Sequence, residues 1–203
     1  MNRKYIFGII ISLVTFSLIA QDSLVDISKL SSKFTLDIRY ATPNNIFEES
    51  LYDCAKCYLR PLVANQLIAA NDYFIKKGYR IVIYDCYRPL DVQRKMWEKI
   101  PRATYVADPE NGGSIHNKGA AIDLSIERLD GNFMNMGTEF DFFGRKAHID
   151  YPNLSEEIKS NRSLLFEGIR KFGFHAIRTE WWHFYYKKNS SYSTLNQAFS
   201  CED

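Results

Sequence analysis

The sequence predicts a single α+β domain in which helices flank a mainly antiparallel sheet. Strand-like runs cluster in the middle and at the C-terminal end of the chain, helical patterns lie between them, and turns rich in glycine and proline separate the elements. The 203 residues contain no visible internal repeat or low-complexity segment. A chain of this length can bury one hydrophobic core.

The first twenty residues have the pattern of a secretory signal. Basic Arg3 and Lys4 precede an apolar run of about fifteen residues that ends at the small residue Ala20. We expect cleavage after Ala20, export to the periplasm or the extracellular space, and no stable membrane insertion of the mature chain, residues 21–203. The alternative is an uncleaved anchor, although the run is short for a span of about twenty residues.

The charge balance argues against two classes of partner. The whole chain has 26 Lys and Arg against 24 Asp and Glu, and the signal segment contains two of the basic residues and none of the acidic ones. The mature chain is therefore formally neutral. It has no basic surplus that would favour nucleic acid or an anionic membrane surface.

The first half of the mature chain predicts strand, helix, strand and helix in that order. Apolar residues alternate over 34–40, which is typical of a half-buried strand. A helix begins at Pro61 and ends before Gly78, with apolar residues at helical spacing and lysines in its last turn. The β-branched and aromatic run 79–87 predicts a buried strand, and a helix follows over 90–100.

The second half predicts two more strands and one more helix. In the run 120–126, alternation puts Asp123 on the same face as Ala121 and Ser125, while the aliphatic residues between them face the core. The other predicted features are a turn at 130–132, a packed loop over 133–143, a helix from capping residues 153–155 to residue 172, an aromatic strand over 180–186 and a polar tail over 187–203.

Two histidines and an aspartate have the residue types of a catalytic zinc site. His116 and Asp123 lie in one segment, and His183 follows near the C-terminus with Glu180 three residues before it. Catalytic zinc keeps three protein ligands and one open position. Two neutral imidazoles and one carboxylate leave a net charge of +1, so the metal can acidify water and polarise a carbonyl.

Glu180 is then free to act as a general base. Regular strand alternation would put Glu180 and His183 on opposite faces, so a bulge or a twist at the strand end is required if both meet one metal. The alternative for each histidine is an ordinary surface or hydrogen-bonded core residue. Other divalent ions also suit such a ligand set.

Arg88 stands at the exit of the strand predicted over 79–87, and the rigid Pro89 follows it. This position suits an arginine that points into a cleft. The alternative is a salt bridge to an acidic neighbour.

Four cysteines remain after the signal: Cys54, Cys57, Cys86 and Cys201. A four-thiolate zinc site would need a second CxxC pair, which the chain lacks. In an exported protein we therefore expect disulfides, and four cysteines allow three connectivities.

The pattern Ser114-x-His116-x-x-Gly119-x-Ala121-x-Asp123, followed by Glu180-x-x-His183, resembles the zinc D,D-peptidases that cut D-alanyl-D-alanine. Within that family it is most similar to the D-Ala-D-Ala dipeptidases of the vancomycin-resistance type. The resemblance extends over almost the whole mature chain in order, through segments 37–47, 84–89 and 136–143.

The resemblance implies an α+β fold and one zinc ion per chain, held by His116, Asp123 and His183. It assigns the general base to Glu180 and oxyanion stabilisation to Arg88. It also places the loop after Pro43 near the substrate.

The resemblance further places Ser114 and Asp141 in the substrate site, where Asp141 could pair with an ammonium. Tyr40, Phe140 and Trp182 are candidate pocket walls. Cys86 departs from the family pattern, because an alanine-like residue is expected at that position.

The implied activity is zinc-dependent hydrolysis of a small D,D-dipeptide to free D-alanine in cell-wall peptide turnover. Export fits scavenging of wall peptides better than interception of a cytosolic dipeptide. One alternative is a zinc D,D-carboxypeptidase or endopeptidase acting on longer wall peptides. Another is a non-catalytic, zinc-stabilised binding module, against which the presence of both Glu180 and Arg88 argues.

Overall fold

A five-stranded sheet forms the centre of the protein in the computed structural model, which describes residues 23–202. The strands are β1 (Val25–Asp26), β2 (Thr35–Leu36), β3 (Tyr58–Leu59), β4 (Tyr79–Asp85), β5 (Ala121–Arg128), β6 (Phe174–Ile177) and β7 (Glu180–Tyr186). The central sheet has the order β2-β4-β5-β7-β6, in which only β2 and β4 are parallel neighbours. The predicted α+β domain with a mainly antiparallel sheet is confirmed.

Three helices complete the domain: α1 (Pro61–Ile75), α2 (Leu90–Lys99) and α3 (Glu156–Arg170). Helix α1 begins with proline, as predicted. Proline suits the first position of a helix because an N–H there would have no intrahelical acceptor. Helix α1 packs on β4, and α3 packs on α1 and β6. The α1–α3 contact is close at Gly168, where a Cβ would lie 2.2 Å from Cζ of Phe74.

The strand predicted over 34–40 is mostly wrong. Only Thr35–Leu36 pairs with β4, and the chain then turns into a 3-10 helix over Arg39–Ala41. Ile38 and Tyr40 are both buried. The alternation in the sequence therefore reflects burial of side chains beneath a turn and not continued strand pairing.

The C-terminal segment is fastened to the domain at several points. A disulfide joins Cys54 to Cys201, and a second joins Cys57 to Cys86, which confirms the predicted disulfides and selects one of the three connectivities. The ring of Phe199 packs 4.8 Å from that of Tyr52.

The segment predicted as a signal, residues 1–20, lies outside the described residues. Within residues 23–202, no helix combines the length and apolar character needed to cross a bilayer.

Candidate active site

The three predicted metal ligands meet at the centre of the sheet. Asp123 on β5 is the register partner of His183 on β7, and His116 reaches them from the 3-10 helix Ile115–Lys118. Nε2 of His116 lies 3.3 Å from Oδ1 of Asp123 and 3.1 Å from Nδ1 of His183, and the last two atoms are 3.0 Å apart. All three side chains are buried.

The donor atoms fit a metal ion. Zinc bonds of about 2.0–2.2 Å in a tetrahedron put ligand atoms roughly 3.3–3.5 Å apart, close to the distances found here. Nδ1 of His116 donates to the carbonyl of Cys86 at 2.6 Å, which leaves the Nε2 lone pair for a metal. Burial alone would raise the pKa of Asp123, but its contacts with His116 and His183 hold it well below the usual range. The carboxylate is therefore ionised, as a ligand must be.

The turn that carries His116 is fixed by capping contacts. Oγ of Ser114 accepts a hydrogen bond from the His116 amide at 3.2 Å, and Oδ1 of Asn117 accepts one from the Ser114 amide at 2.7 Å. Gly119 ends the turn with φ +64, and a Cβ there would meet Leu24 at 2.6 Å. Ser114, which the resemblance placed in the substrate site, lies on the cleft wall in addition to making this capping contact.

Glu180 reaches the same cleft because strand β7 is irregular. The register of β6 and β7 shifts between Ala176 and Ile177, so the chain between Glu180 and Phe184 bulges. The irregularity that the sequence required is confirmed. Oε2 of Glu180 lies 3.9 Å from Nδ1 of His183. Burial raises the pKa of Glu180 to about 7, which suits a base that works near neutral pH.

Arg88 faces the cleft and is also paired to an acid, so both predicted alternatives hold. Its Nη2 and Nε donate to Oδ2 of Asp85 at 2.7 and 3.2 Å, and its Nη1 donates to Gln93 at 2.8 Å. Oδ1 of Asp85 accepts from the hydroxyl of Tyr52 at 2.6 Å and from the Cys86 amide at 2.8 Å. The sequence predictions gave Asp85 no role, although its position three residues before Arg88 could have indicated the partner of the salt bridge.

Asp141 also lines the cleft and is held by Tyr40, whose hydroxyl donates to Oδ2 at 2.9 Å. Its φ of +59 is unusual for a residue other than glycine, and aspartate tolerates it better than most. Burial raises the pKa of Asp141 to about 7, and the charge of Asp123 acts in the same direction. The site thus places a carboxyl with a raised pKa where a cation could bind.

The cleft has a volume of about 300 Å³, at the small end of ligand sites. Tyr40 and Trp182 line it as predicted. Phe140 is a wrong prediction: it packs behind both, with its ring 5.8 Å from that of Tyr40 and 5.5 Å from that of Trp182. Its neighbour Asp141, with its positive φ, is the residue of this segment whose side chain lines the cleft.

An aromatic pair that sequence reasoning missed completes the wall. Tyr105 and Phe143 stack with ring centroids 4.0 Å apart and an angle of 9°. Both rings also border an adjacent cavity of about 540 Å³. In the loop after Pro43, Ile46 and Phe47 line the cleft, whereas Asn44 borders a separate cavity of about 220 Å³.

Convergent N/O donors, a partly buried carboxylate beside them and an arginine in the same cleft are typical of a metallopeptidase. The model of the family described as Peptidase M15, D-ala-D-ala dipeptidase, matches residues 20–202. The chain is 34% identical over 178 residues to the D-alanyl-D-alanine dipeptidase of Escherichia coli, covering 88% of this chain and 92% of that protein. The chain therefore belongs to the M15 peptidase family of D-Ala-D-Ala dipeptidases.

Other similar proteins are more distant. A D-alanyl-D-alanine dipeptidase of Enterococcus faecium is 27% identical over 174 residues, covering 73% of this chain and 83% of that protein. Among solved structures, a vancomycin-resistance D,D-pentapeptidase in complex with Zn(II) has a TM-score of 0.45 and 15% identity, covering 69% of this chain and 79% of that one. The vancomycin-resistance D,D-dipeptidase VanXYg with a D-Ala-D-Ala phosphinate analogue has a TM-score of 0.40 and 19% identity, covering 81% and 66%.

Proposed function

We propose that this chain is a zinc-dependent dipeptidase that hydrolyses D-alanyl-D-alanine to free D-alanine. The observation that carries the proposal is one small cleft that contains a metal-ligand group and two further, partly buried carboxyls, Glu180 and Asp141. The first has the position of a base and the second that of a cation-binding group. The identity to the Escherichia coli dipeptidase over most of the chain supports the substrate.

His116, Asp123 and His183 would hold the zinc ion, which when bound supplies Lewis acidity toward a water molecule and a carbonyl oxygen. Glu180 accepts a proton from the water that attacks the peptide carbonyl and returns it to the leaving amine. Its Oε2 lies 3.9 Å from Nδ1 of His183, beside the three-residue ligand group but outside it. Its raised pKa makes both proton transfers feasible near neutral pH.

Arg88 stabilises the negative charge that develops on the carbonyl oxygen. A guanidinium does this best when its position is fixed before the reaction, and three hydrogen bonds to Asp85 and Gln93 fix it here. Asp141 pairs with the free ammonium of the dipeptide. A cation beside it favours the ionised carboxyl, so binding lowers the pKa that burial has raised.

The walls of the cleft support a dipeptide over a longer substrate. The cavity of about 300 Å³ is small, and the stacked Tyr105 and Phe143 line both it and the larger adjacent cavity, which Glu180 and Trp182 also border. A peptide extended at its amino end would also lose the pairing of its ammonium with Asp141.

We further propose that the enzyme works after export, in turnover of cell-wall peptides. The composition of residues 1–20 and the two disulfides support this, because disulfides persist in oxidising compartments. A periplasmic or extracellular D,D-dipeptidase would release D-alanine from free D,D-dipeptides derived from the wall.

The test is D-alanine release by purified, zinc-loaded protein, residues 21–203, from D-Ala-D-Ala and from its N-acetylated form. We expect cleavage of the free dipeptide only. Cleavage of the acetylated form would instead indicate a carboxypeptidase.

Glu180→Gln should lower kcat by about 10²- to 10⁴-fold with zinc content unchanged. Glu127→Gln is the matched control, because Glu127 is buried but pairs with Thr35 and Arg80 outside the cleft. If the parent protein cleaves neither substrate and Glu180→Gln still binds the dipeptide, the result would favour the alternative of a non-catalytic binding module.

A further inference from the structure

The disulfide between Cys57 and Cys86 adjoins the active site. Both cysteines are buried, their Cα atoms are 5.2 Å apart, and the bridge joins the residue before β3 to the residue after β4. The second disulfide instead fastens the C-terminal segment, where Cys201 is exposed. The two bridges of this chain therefore have different surroundings.

The backbone of Cys86 contacts two functional side chains. Its carbonyl accepts the 2.6 Å hydrogen bond from Nδ1 of His116, and its amide donates to Asp85 at 2.8 Å. The first contact orients the imidazole for metal binding. The second helps to hold the carboxylate that binds the guanidinium of Arg88. The position of one residue thus sets two groups of the site.

The segment around Cys86 lies beyond the regular sheet. Strand β4 ends at Asp85, whose pairing with Asp123 is the last between β4 and β5. Beyond it the backbone is held by single hydrogen bonds, from the Tyr87 amide to Tyr58 at 3.0 Å and from the Arg88 amide to His116 at 3.1 Å. The bridge adds a covalent anchor where the strand ladder ends.

We propose that the Cys57–Cys86 bridge is a positioning crosslink of the active site. By fixing the backbone of Cys86 it holds the His116 imidazole and the Arg88 guanidinium in the geometry that metal binding and turnover require. Small displacements matter here, because a misplacement of about 1 Å can lower a rate by roughly 10²-fold. The inference rests on the proposed function for the reaction, but metal affinity tests it without substrate.

The experiment compares two variants that each lack one bridge: Cys57→Ala/Cys86→Ala and the matched control Cys54→Ala/Cys201→Ala. The control bridge, Cys54–Cys201, closes a loop of 147 residues, whereas Cys57–Cys86 closes one of 29. Because a longer closed loop restricts the unfolded chain more, loss of the control bridge should lower Tm at least as much as loss of Cys57–Cys86. Both variants are measured folded, below their Tm. Competition with a chromogenic chelator gives the Kd for Zn²⁺, and the visible absorption of the Co²⁺-loaded protein reports the ligand geometry.

We expect loss of the Cys57–Cys86 bridge to raise the Kd for Zn²⁺ by about 10- to 100-fold and to change the Co²⁺ spectrum, since partners that orient metal ligands have effects of this size. kcat should fall as well. The control should keep the parent Kd and spectrum in spite of its lower Tm. Equal Kd values and spectra in the two variants would overturn the proposal.

A second pair, Cys57→Val/Cys86→Ala, fills part of the bridge volume and is used if the alanine pair does not fold. Failure of both pairs to fold would assign the bridge a folding role and overturn a positioning one. A parent protein that binds Zn²⁺ but leaves D-Ala-D-Ala intact would refute the proposed function alone. The comparison of metal affinities would still decide the role of the bridge.

Discussion

Replacement of Arg88 should separate its role in stability from its role in catalysis. Arg88→Ala removes three hydrogen bonds and leaves Asp85, which is fully buried, with the Tyr52 hydroxyl and the Cys86 amide as hydrogen-bond donors and with Nδ1 of His116 at 3.5 Å. Breaking a buried ion pair on one side costs about 3–5 kcal/mol of unfolding free energy. Arg88→Lys keeps the charge beside Asp85 and should cost less, but it loses the planar fork that binds Asp85 and Gln93 together.

Both variants should lower kcat by about 10²- to 10³-fold, because an ammonium on a flexible stem does not reproduce the fixed guanidinium. Urea unfolding gives the stability change, and D-alanine release at saturating Zn²⁺ gives kcat and KM. Arg162→Lys is the matched control: Arg162 is also buried, but it donates to the carbonyls of Met136, Lys146 and His148 and lies outside the cleft. It should lose stability and keep kcat. Parent kcat in Arg88→Lys, or an equal loss in Arg162→Lys, would refute the assignment.

Three more outcomes are expected. The value of kcat/KM should fall as pH drops below about 7, because burial raises the pKa of Glu180 to about 7 and a protonated base accepts no proton. A pH profile of kcat/KM checks this. The same profile of Asp141→Asn separates the contribution of Asp141, whose pKa is also about 7. Chelation should lower Tm and added Zn²⁺ should restore it, since a ligand that binds only the folded state stabilises it by about 2.7 kcal/mol at 100 times its Kd; an unchanged Tm in scanning calorimetry would contradict the metal site. Gly168→Ala should cost about 1–3 kcal/mol in urea unfolding with kcat unchanged, because its Cβ would lie 2.2 Å from Phe74.

The local patterns of the sequence predicted most elements of the fold. Helix α1 begins at Pro61, as the proline at this position indicated. Strands β4 and β7 lie within the predicted runs. These predictions succeed because helix starts and buried strands depend on neighbouring residues. The strand over 34–40 failed because alternating burial has two causes, pairing in a sheet and packing of a turn, and only the tertiary structure separates them.

The ligand group was predictable from a motif, but its supporting contacts were not. His116, Asp123 and His183 stand in a recognisable order, whereas the roles of Asp85 and Cys86 depend on where β4 ends relative to the turn at His116. The two segments are about thirty residues apart in sequence. No local periodicity shows that the backbone of one would contact the side chain of the other.

Two irregular strand pairings explain how so many polar side chains reach one cleft. In regular register, Tyr84 would lie opposite Asp123, and Asp85 would point to the other face of the sheet. The shift after Ile83 places Asp85 opposite Asp123 instead, so that it can bind the guanidinium of Arg88.

The shift in β7 has the same effect on the other side of Asp123, because Glu180, Trp182 and His183 all line the cleft in spite of their spacing. Alternation permits only every second residue of a strand to face one side. A site that needs an acid on each side of a central ligand strand, together with a histidine, therefore requires extra residues in the neighbouring strands. The bulges supply them, and they lie at the ends of β4 and β7, where the pairing can be interrupted without breaking the centre of the sheet.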